Sequence, residues 1–355
     1  MAQLNKNERS ASKRPNESKT RPTGPENPYY KAFGLTHDGE YTLIADAWKA
    51  FEIENAHRRH ESATLNNAAL NSFLTITKLH EHSYMKEITR ERCRAWKAFL
   101  MSAPPKPGGR KAGPASINAR MAMFTQFLKF AVAQDWLERN PMEGLALNPR
   151  LVASSRVRKS GFTDEQLARI VATLEPFRES SKADHREYYW AIMALMVSGA
   201  RLAEILELAR KDVRQVEGVW CFLIEPSPER LLKNKESARV VPIHSHLIKL
   251  GLLEWMSAQP KSEKVFPLLC AKGKELVSIF FSKRILKGWK TPAITLHSLR
   301  HTLTQKLARA RTYPALQNRF LGHAIGTSVE DRVYLGSLQF TVKELSEALE
   351  KVTFP

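Results

Sequence analysis

Apolar residues recur at helical spacing along most of this 355-residue chain, and that pattern confines it to a mainly α-helical fold. "YTLIADAWKAFEIENAHRRH", "LNNAALNSFLTITKLH", "TRERCRAWKAFLM" and "INARMAMFTQFLKFAVAQDWLERN" each read as a helix, with the Pro- and Gly-rich "SAPPKPGGRKAGPAS" as a loop between them. Together they predict an all-helical first domain over 41–150. Residues 1–40 are rich in Lys, Arg, Asn, Ser and Pro and poor in aliphatics, the composition of a flexible basic arm. The segment "LVASSRVRKS", 151–160, lacks strong periodicity and reads as a linker, in which Arg156, Arg158 and Lys159 are candidates for contact with a phosphate backbone.

A second domain is expected over 161–355. "FTDEQLARIVATLEPF" opens it as a helix, with Thr163 as N-cap and Gln166 completing a capping box. "YYWAIMALMVSGARLAEILELARKDV" reads as one long helix, kinked or broken near Ser198-Gly199. "GVWCFLIE" and "ARVVPIH" read as strands joined by the polar connector "PSPERLLKNKES", and the remainder as helices. The last, in "TVKELSEALEKVTFP", has Val342, Leu345, Leu349 and Val352 at helical spacing behind a Thr341/Glu344 capping box. The expected fold is therefore mainly α, with a small β-sheet in the C-terminal domain.

Charge narrows the partners. The chain carries 55 Lys+Arg against 36 Asp+Glu, a net charge of +19 spread over both halves. Such a field attracts polyanions, nucleic acid above all, with an anionic membrane surface or a merely basic protein as the alternatives. No run of 18 apolar residues is present, which argues against a membrane span, and the polar N-terminus lacks the apolar core of a secretion signal. Cys93, Cys221 and Cys270 form neither a CxxC motif nor an even disulfide framework. A reducing cytoplasm without structural zinc fits best, and no metal site is expected.

The residues suited to chemistry come in short clusters. In "LHSLRHTLTQKLARA", 296–310, the leucines form a core stripe, while His297, Arg300, His301 and Thr304 form a polar stripe about a quarter turn away. "SGARLAEILEL" places Arg201 and Glu204 three apart, a spacing that an ordinary surface ion pair also has. "LLKNKESARVVPIH" offers Lys233 and Lys235 beside a hairpin, and "NRFLGHAIGTSVEDRVYLG" offers Gly322-His323 and Tyr334. Each cluster alone has a bland structural explanation. Their order along one chain is far more specific.

In that order the chain resembles the tyrosine recombinase (phage integrase) family of site-specific DNA recombinases. The similarity is carried by "SGARLAEILEL", "KNKESARVVPIH", "LHSLRHT", "LGH" and "VEDRVYLG"; the helical first domain, especially "INARMAMFTQFLKFAVAQDWLERNPMEGL", looks like the core-binding domain of integrases. The resemblance implies DNA cleavage and rejoining without metal or ATP, and no cofactor. Arg201 and Arg300 would clamp the phosphate, because guanidinium is always charged and its planar fork matches phosphate oxygens. His297 and His323 would donate hydrogen bonds or move a proton. Tyr334 would attack phosphorus to form a 3′-phosphotyrosyl intermediate, and Lys233, with Lys235 as fallback, would protonate the leaving 5′-oxygen. Glu204 would orient the first arginine, and His301 is left a supporting or structural residue.

The implied partners are double-stranded DNA attachment sites, further copies of the chain in a synaptic tetramer, and accessory DNA-bending or directionality factors, in a prokaryotic, nucleoid-associated setting. The terminal helix is expected on a neighbouring protomer, or else folded back on its own domain. A type IB topoisomerase-like relaxase and a DNA-binding regulator without catalysis are the competing readings. The helical first domain disfavours the former, and the retained Tyr334 the latter.

Overall fold

The computed structural model describes residues 41–56, 60–105, 111–227, 230, 237–260, 262–323 and 340–355. The expected arm, Lys233, Lys235 and Tyr334 lie outside the described residues. The chain divides into two compact units between Arg156 and Val157.

In the first unit, α1 (Ile44–Glu54), α2 (His60–Thr77), α3 (Arg90–Ser102), α4 (Pro114–Ala133) and α5 (Pro149–Ser154) enclose one core. Proline at the first position starts α4, where a missing N–H costs nothing. Phe124 of α4 stacks on Phe73 of α2 with ring centres 4.4 Å apart and meets the edge of Trp96 of α3 at 5.3 Å. Phe127, one turn on, meets Trp48 of α1 at 4.9 Å, so a single aromatic face of α4 gathers the other three long helices.

The second unit is built on α7 (Ala183–Ser198), buried without a break from Glu187 to Ser198. A helix apolar all round has to be surrounded. The core of this unit is shared by α6 (Asp164–Arg178), α8 (Leu202–Leu206), α9 (Ser245–Lys249), α10 (Leu252–Ala258), α11 (Pro267–Lys272), α12 (Lys274–Phe280), α13 (Ser298–Arg309), α14 (Pro314–Leu321) and α15 (Val342–Glu350). The capping box of α6 is formed: Gln166 N–H donates to Thr163 Oγ1, and Gln166 Oε1 accepts from Thr163 N–H.

The helix read from "YYWAIMALMVSGARLAEILELARKDV" has the break that the sequence placed near Ser198-Gly199. It breaks at Gly199, resumes as the short α8, and ends in a strand, β1 (Val213–Val216). With β2 (Val219–Ile224) and β3 (Arg239–Pro242) this makes three antiparallel strands in the order β1-β2-β3, one more than expected. Val216 pairs with Val219, leaving Glu217 and Gly218 as a two-residue turn, both at positive φ (52° and 79°). That is the turn whose twist suits a tight hairpin. Glutamate at its first position hides the signal that Asn or Asp would have given.

The terminal helix folds back on its own domain. Val342 of α15 packs against Cys221 and Leu223 of β2, while Leu345, Leu349 and Val352 enter the main core. Glu350 accepts from Ser245 N–H and Oγ–H, both at 2.7 Å, and the Thr341/Glu344 box is formed. Of the two expected placements, the folded-back one is seen in the single chain. Every apolar position of the stripe is buried within its own domain.

Candidate active site

Three segments meet around Arg300 and Arg239. The first is the end of α7, where Gly199 takes φ +60° and turns the chain into α8. A Cβ there would lie 2.8 Å from Leu303 Cδ2, so glycine is required by both conformation and space. The second is β3, and the third is the end of α14, where Gly322 (φ +61°) stops the helix just before His323.

Arg300 stands in this convergence with 4% of its surface exposed. Its Nη1 donates to Gly199 O at 2.7 Å, and its Nη2 donates to Leu321 O and to His323 Nε2, the latter at 2.8 Å. Burial, and then the charges of Arg201 and Arg239, draw its pKa down to about 9, which leaves it charged at neutral pH. The leucines of the same helix, Leu299, Leu303 and Leu307, are buried in the core as their stripe required.

A guanidinium only donates, so His323 Nε2 is the acceptor and the ring's proton sits on Nδ1. Burial first, then Arg300, Arg201 and Arg239, push the imidazole down to about 4. At neutral pH His323 is a neutral ring with one N–H to offer. His297, exposed at the N-cap of α13, has its ring edge-on to His301 at 5.0 Å.

Arg201, at the N-cap of α8, is more open, its side chain 22% exposed. Its Nη1 donates to Glu204 Oε1 (2.6 Å) and Ser237 Oγ (3.1 Å), and its backbone N–H donates to Glu204 Oε2 (2.8 Å). Nη2 and Nε keep three N–H donors unused by the described residues. Glu204 is nearly buried. Burial alone would raise its pKa, but the bond and charge of Arg239, then the bonds from Arg201, hold it at about 2. It is a permanent carboxylate and donates no proton.

Arg239 escaped the sequence reading. Its side chain is fully buried, with Nε donating to Phe320 O (2.7 Å), Nη1 to Ser237 O (2.8 Å) and Nη2 to Glu204 Oε2 (2.8 Å). One signal did point to it: strand alternation puts Arg239 on the face of Val241, which is core.

The structure thus brings Arg201, Glu204, Arg300 and His323 together, with Arg239 and Ser237 added. His297 and Arg300 line a small cleft of about 100 Å3 with Leu195, Ala200, Leu202 and Ser278. Larger clefts, of about 740 and 880 Å3, flank the chain after α4 in the first unit and are lined by none of these residues. A shallow cationic surface suits one group of an extended polyanion better than an enclosed small molecule. Arg156, Arg158 and Lys159 are exposed, and Lys159 Nζ donates to Pro292 O at 2.7 Å.

Comparison with known proteins decides the family. The model of the phage integrase family matches residues 161–338, half of the chain, and that of the phage integrase SAM-like domain matches 42–148. The chain belongs to the phage integrase family. It is a tyrosine recombinase with the expected fold, mainly helical with a small sheet in the C-terminal unit. Tyrosine recombinase XerC of Actinobacillus succinogenes is 23% identical over 289 residues, covering 78% of this chain and 88% of that one. Among solved structures, a lambda integrase tetramer bound to a Holliday junction aligns with a TM-score of 0.56 at 17% identity, covering 88% of this chain and 86% of that one. The Tn1549 transposon integrase in complex with transposon right end DNA aligns with a TM-score of 0.54 at 14% identity, covering 87% and 99%. At such identities these structures speak for the fold. Among the described residues no helix is long and apolar enough to cross a membrane.

Proposed function

We propose that this integrase cuts and rejoins double-stranded DNA at attachment sites, through a 3′-phosphotyrosyl intermediate on Tyr334, to integrate or excise a mobile element. One observation carries the reading: three guanidiniums, of Arg201, Arg239 and Arg300, gather around a single carboxylate, Glu204. The excess positive charge calls for an anion. Among the described residues, Arg201 keeps open donors for it.

A phosphodiester repels nucleophiles, so neutralising its nonbridging oxygens is the first requirement for cleavage. Arg201 and Arg300 supply that charge without a metal, and no ATP is needed because one phosphodiester is exchanged for another of similar energy. His323, neutral with its proton on Nδ1, supplies a hydrogen bond rather than a charge, and His297 a second from the lip of α13. Tyr334, ordinarily protonated at neutral pH with a pKa of about 10, attacks phosphorus as the phenolic proton leaves. Lys233, or Lys235 in its place, gives a proton to the departing 5′-oxygen. The 5′-hydroxyl of another strand then reverses the step.

The basic arm, the first domain and the exposed Arg156, Arg158 and Lys159 hold the duplex by its phosphates. Exchange between two duplexes calls for a synaptic tetramer, with DNA-bending or directionality factors as further partners, on the nucleoid of a prokaryotic cell. The relatives solved with DNA, one of them a tetramer, support this reading.

The test is a nicked duplex made from the DNA that flanks the encoding gene. The parent chain forms an adduct that survives denaturing electrophoresis, while Tyr334→Phe still shifts the duplex and forms none. An adduct with Tyr334→Phe overturns the nucleophile assignment, and a shift without any adduct leaves a binding protein. Relaxation of plasmids lacking any site, without exchange between sites, points instead to a topoisomerase.

A further inference from the structure

We infer that Arg239 is a positioning residue for the phosphate clamp, one buried guanidinium that sets Arg201 on one side and braces Arg300 on the other. The inference rests on the reading of those two arginines as the clamp.

A fully buried charge is costly, and an apolar side chain of similar volume often serves stability as well. Arg239 therefore needs a reason other than holding β3 in place, and its contacts give one. Arg201 Nη1 has two acceptors, Glu204 Oε1 and Ser237 Oγ. Arg239 binds both residues, at Glu204 Oε2 through Nη2 and at Ser237 O through Nη1. The third bond, from Nε to Phe320 O, grips the end of α14 one peptide before Leu321 O, which accepts from Arg300, and three residues before His323. One rigid fork thus spans α8, β3 and α14. Lysine, with a single point charge on a flexible stem, cannot hold three acceptors in three directions.

Displacement of a clamping group by an ångström costs about 10²-fold in rate. The experiment uses the full chain and the nicked duplex from the gene-flanking DNA, after the parent chain has mapped the cleaved phosphate. A second duplex carries a neutral methylphosphonate there, which has no negative charge to clamp. Arg239→Lys keeps a counter-charge for Glu204, so although its urea midpoint falls it is expected to stay folded in the assay buffer and to hold the duplex with an affinity close to the parent's. Its adduct formation falls about 10²-fold on the phosphodiester and less than about threefold on the methylphosphonate. Arg201→Ala gives the same asymmetry.

An equal loss on both duplexes, a loss that follows the folded fraction, or no loss overturns the inference. Should Arg239→Lys fail to fold, Arg239→Gln, which still donates to Glu204, carries the same comparison. A parent chain that forms no adduct on any duplex sinks the reading of the site itself. A parent that cuts no faster than Arg239→Lys sinks only the role of Arg239.

Discussion

Glu204→Gln keeps the shape of the central carboxylate and removes its charge, which makes it the cleanest probe of the cluster. The Glu204 carboxyl lies at about 2, against 4.5 for an ordinary glutamate. Each tenfold change in proton affinity is worth about 1.4 kcal/mol, so its interactions contribute about 3 kcal/mol to the second unit at neutral pH. The substitution also leaves Arg239 buried without a counter-charge, and breaking one side of such a pair costs about 3 to 5 kcal/mol. The expected loss at pH 7 is therefore about 3 to 5 kcal/mol. Because the folded pKa lies below the unfolded one, the unfolded chain takes up the proton first. The contribution is complete above about pH 4.5 and is lost as pH falls toward about 2. At about pH 3.5 the gap between parent and variant narrows by about 1 to 2 kcal/mol. Urea unfolding read by pulsed hydrogen exchange on peptides of α7 isolates this unit from the first. A variant within about 1 kcal/mol of the parent at pH 7, or a gap that does not change with pH, refutes the reasoning.

Gly199→Ala forces a Cβ against Leu303 at positive φ and shifts the carbonyl that holds Arg300; a loss of about 1 to 3 kcal/mol is expected in urea, together with slower adduct formation. With His323 at about 4, adduct formation should show no inflection near pH 6.5 from this group. An apparent pKa near 6.5 that vanishes in His323→Gln contradicts that placement. Thr341→Ala removes the cap of α15 and should lower stability by about 1 kcal/mol, measured as a shift of the urea midpoint.

Much of this fold is legible in the sequence because helical stripes and capping boxes are local signals. Thr163/Gln166 and Thr341/Glu344 are readable from residue types three apart, and both boxes form. β1 is not legible in that way. "ELARK" consists of good helix formers, yet α8 ends at Leu206, and β1 exists only through its pairing with β2. The site divides along the same line. Arg201, Glu204 and the "LHSLRH" cluster stand out by spacing, whereas Arg239 is marked only by its alternation with Val241 on a short strand. Its significance depends on Glu204, Ser237 and Phe320 meeting around it, a long-range fact.

The arginines of the proposed phosphate site are neutralised in a particular way. Apart from Glu204, the acceptors of Arg239 and Arg300 are mostly backbone carbonyls: Gly199 O at the end of α7, Phe320 O and Leu321 O at the end of α14, and Ser237 O before β3. Helix C-termini carry unpaired carbonyls and about half a negative charge, so two helix ends do part of the work of carboxylates. Carbonyl dipoles satisfy the donors without cancelling the net charge, whereas a second Asp or Glu would cancel it and compete with a phosphate. Gly199 and Gly322 matter for the same reason. By stopping the two helices in the left-handed conformation, they leave the last carbonyls pointing at guanidiniums, which keeps the site cationic, as the proposed phosphate contact requires.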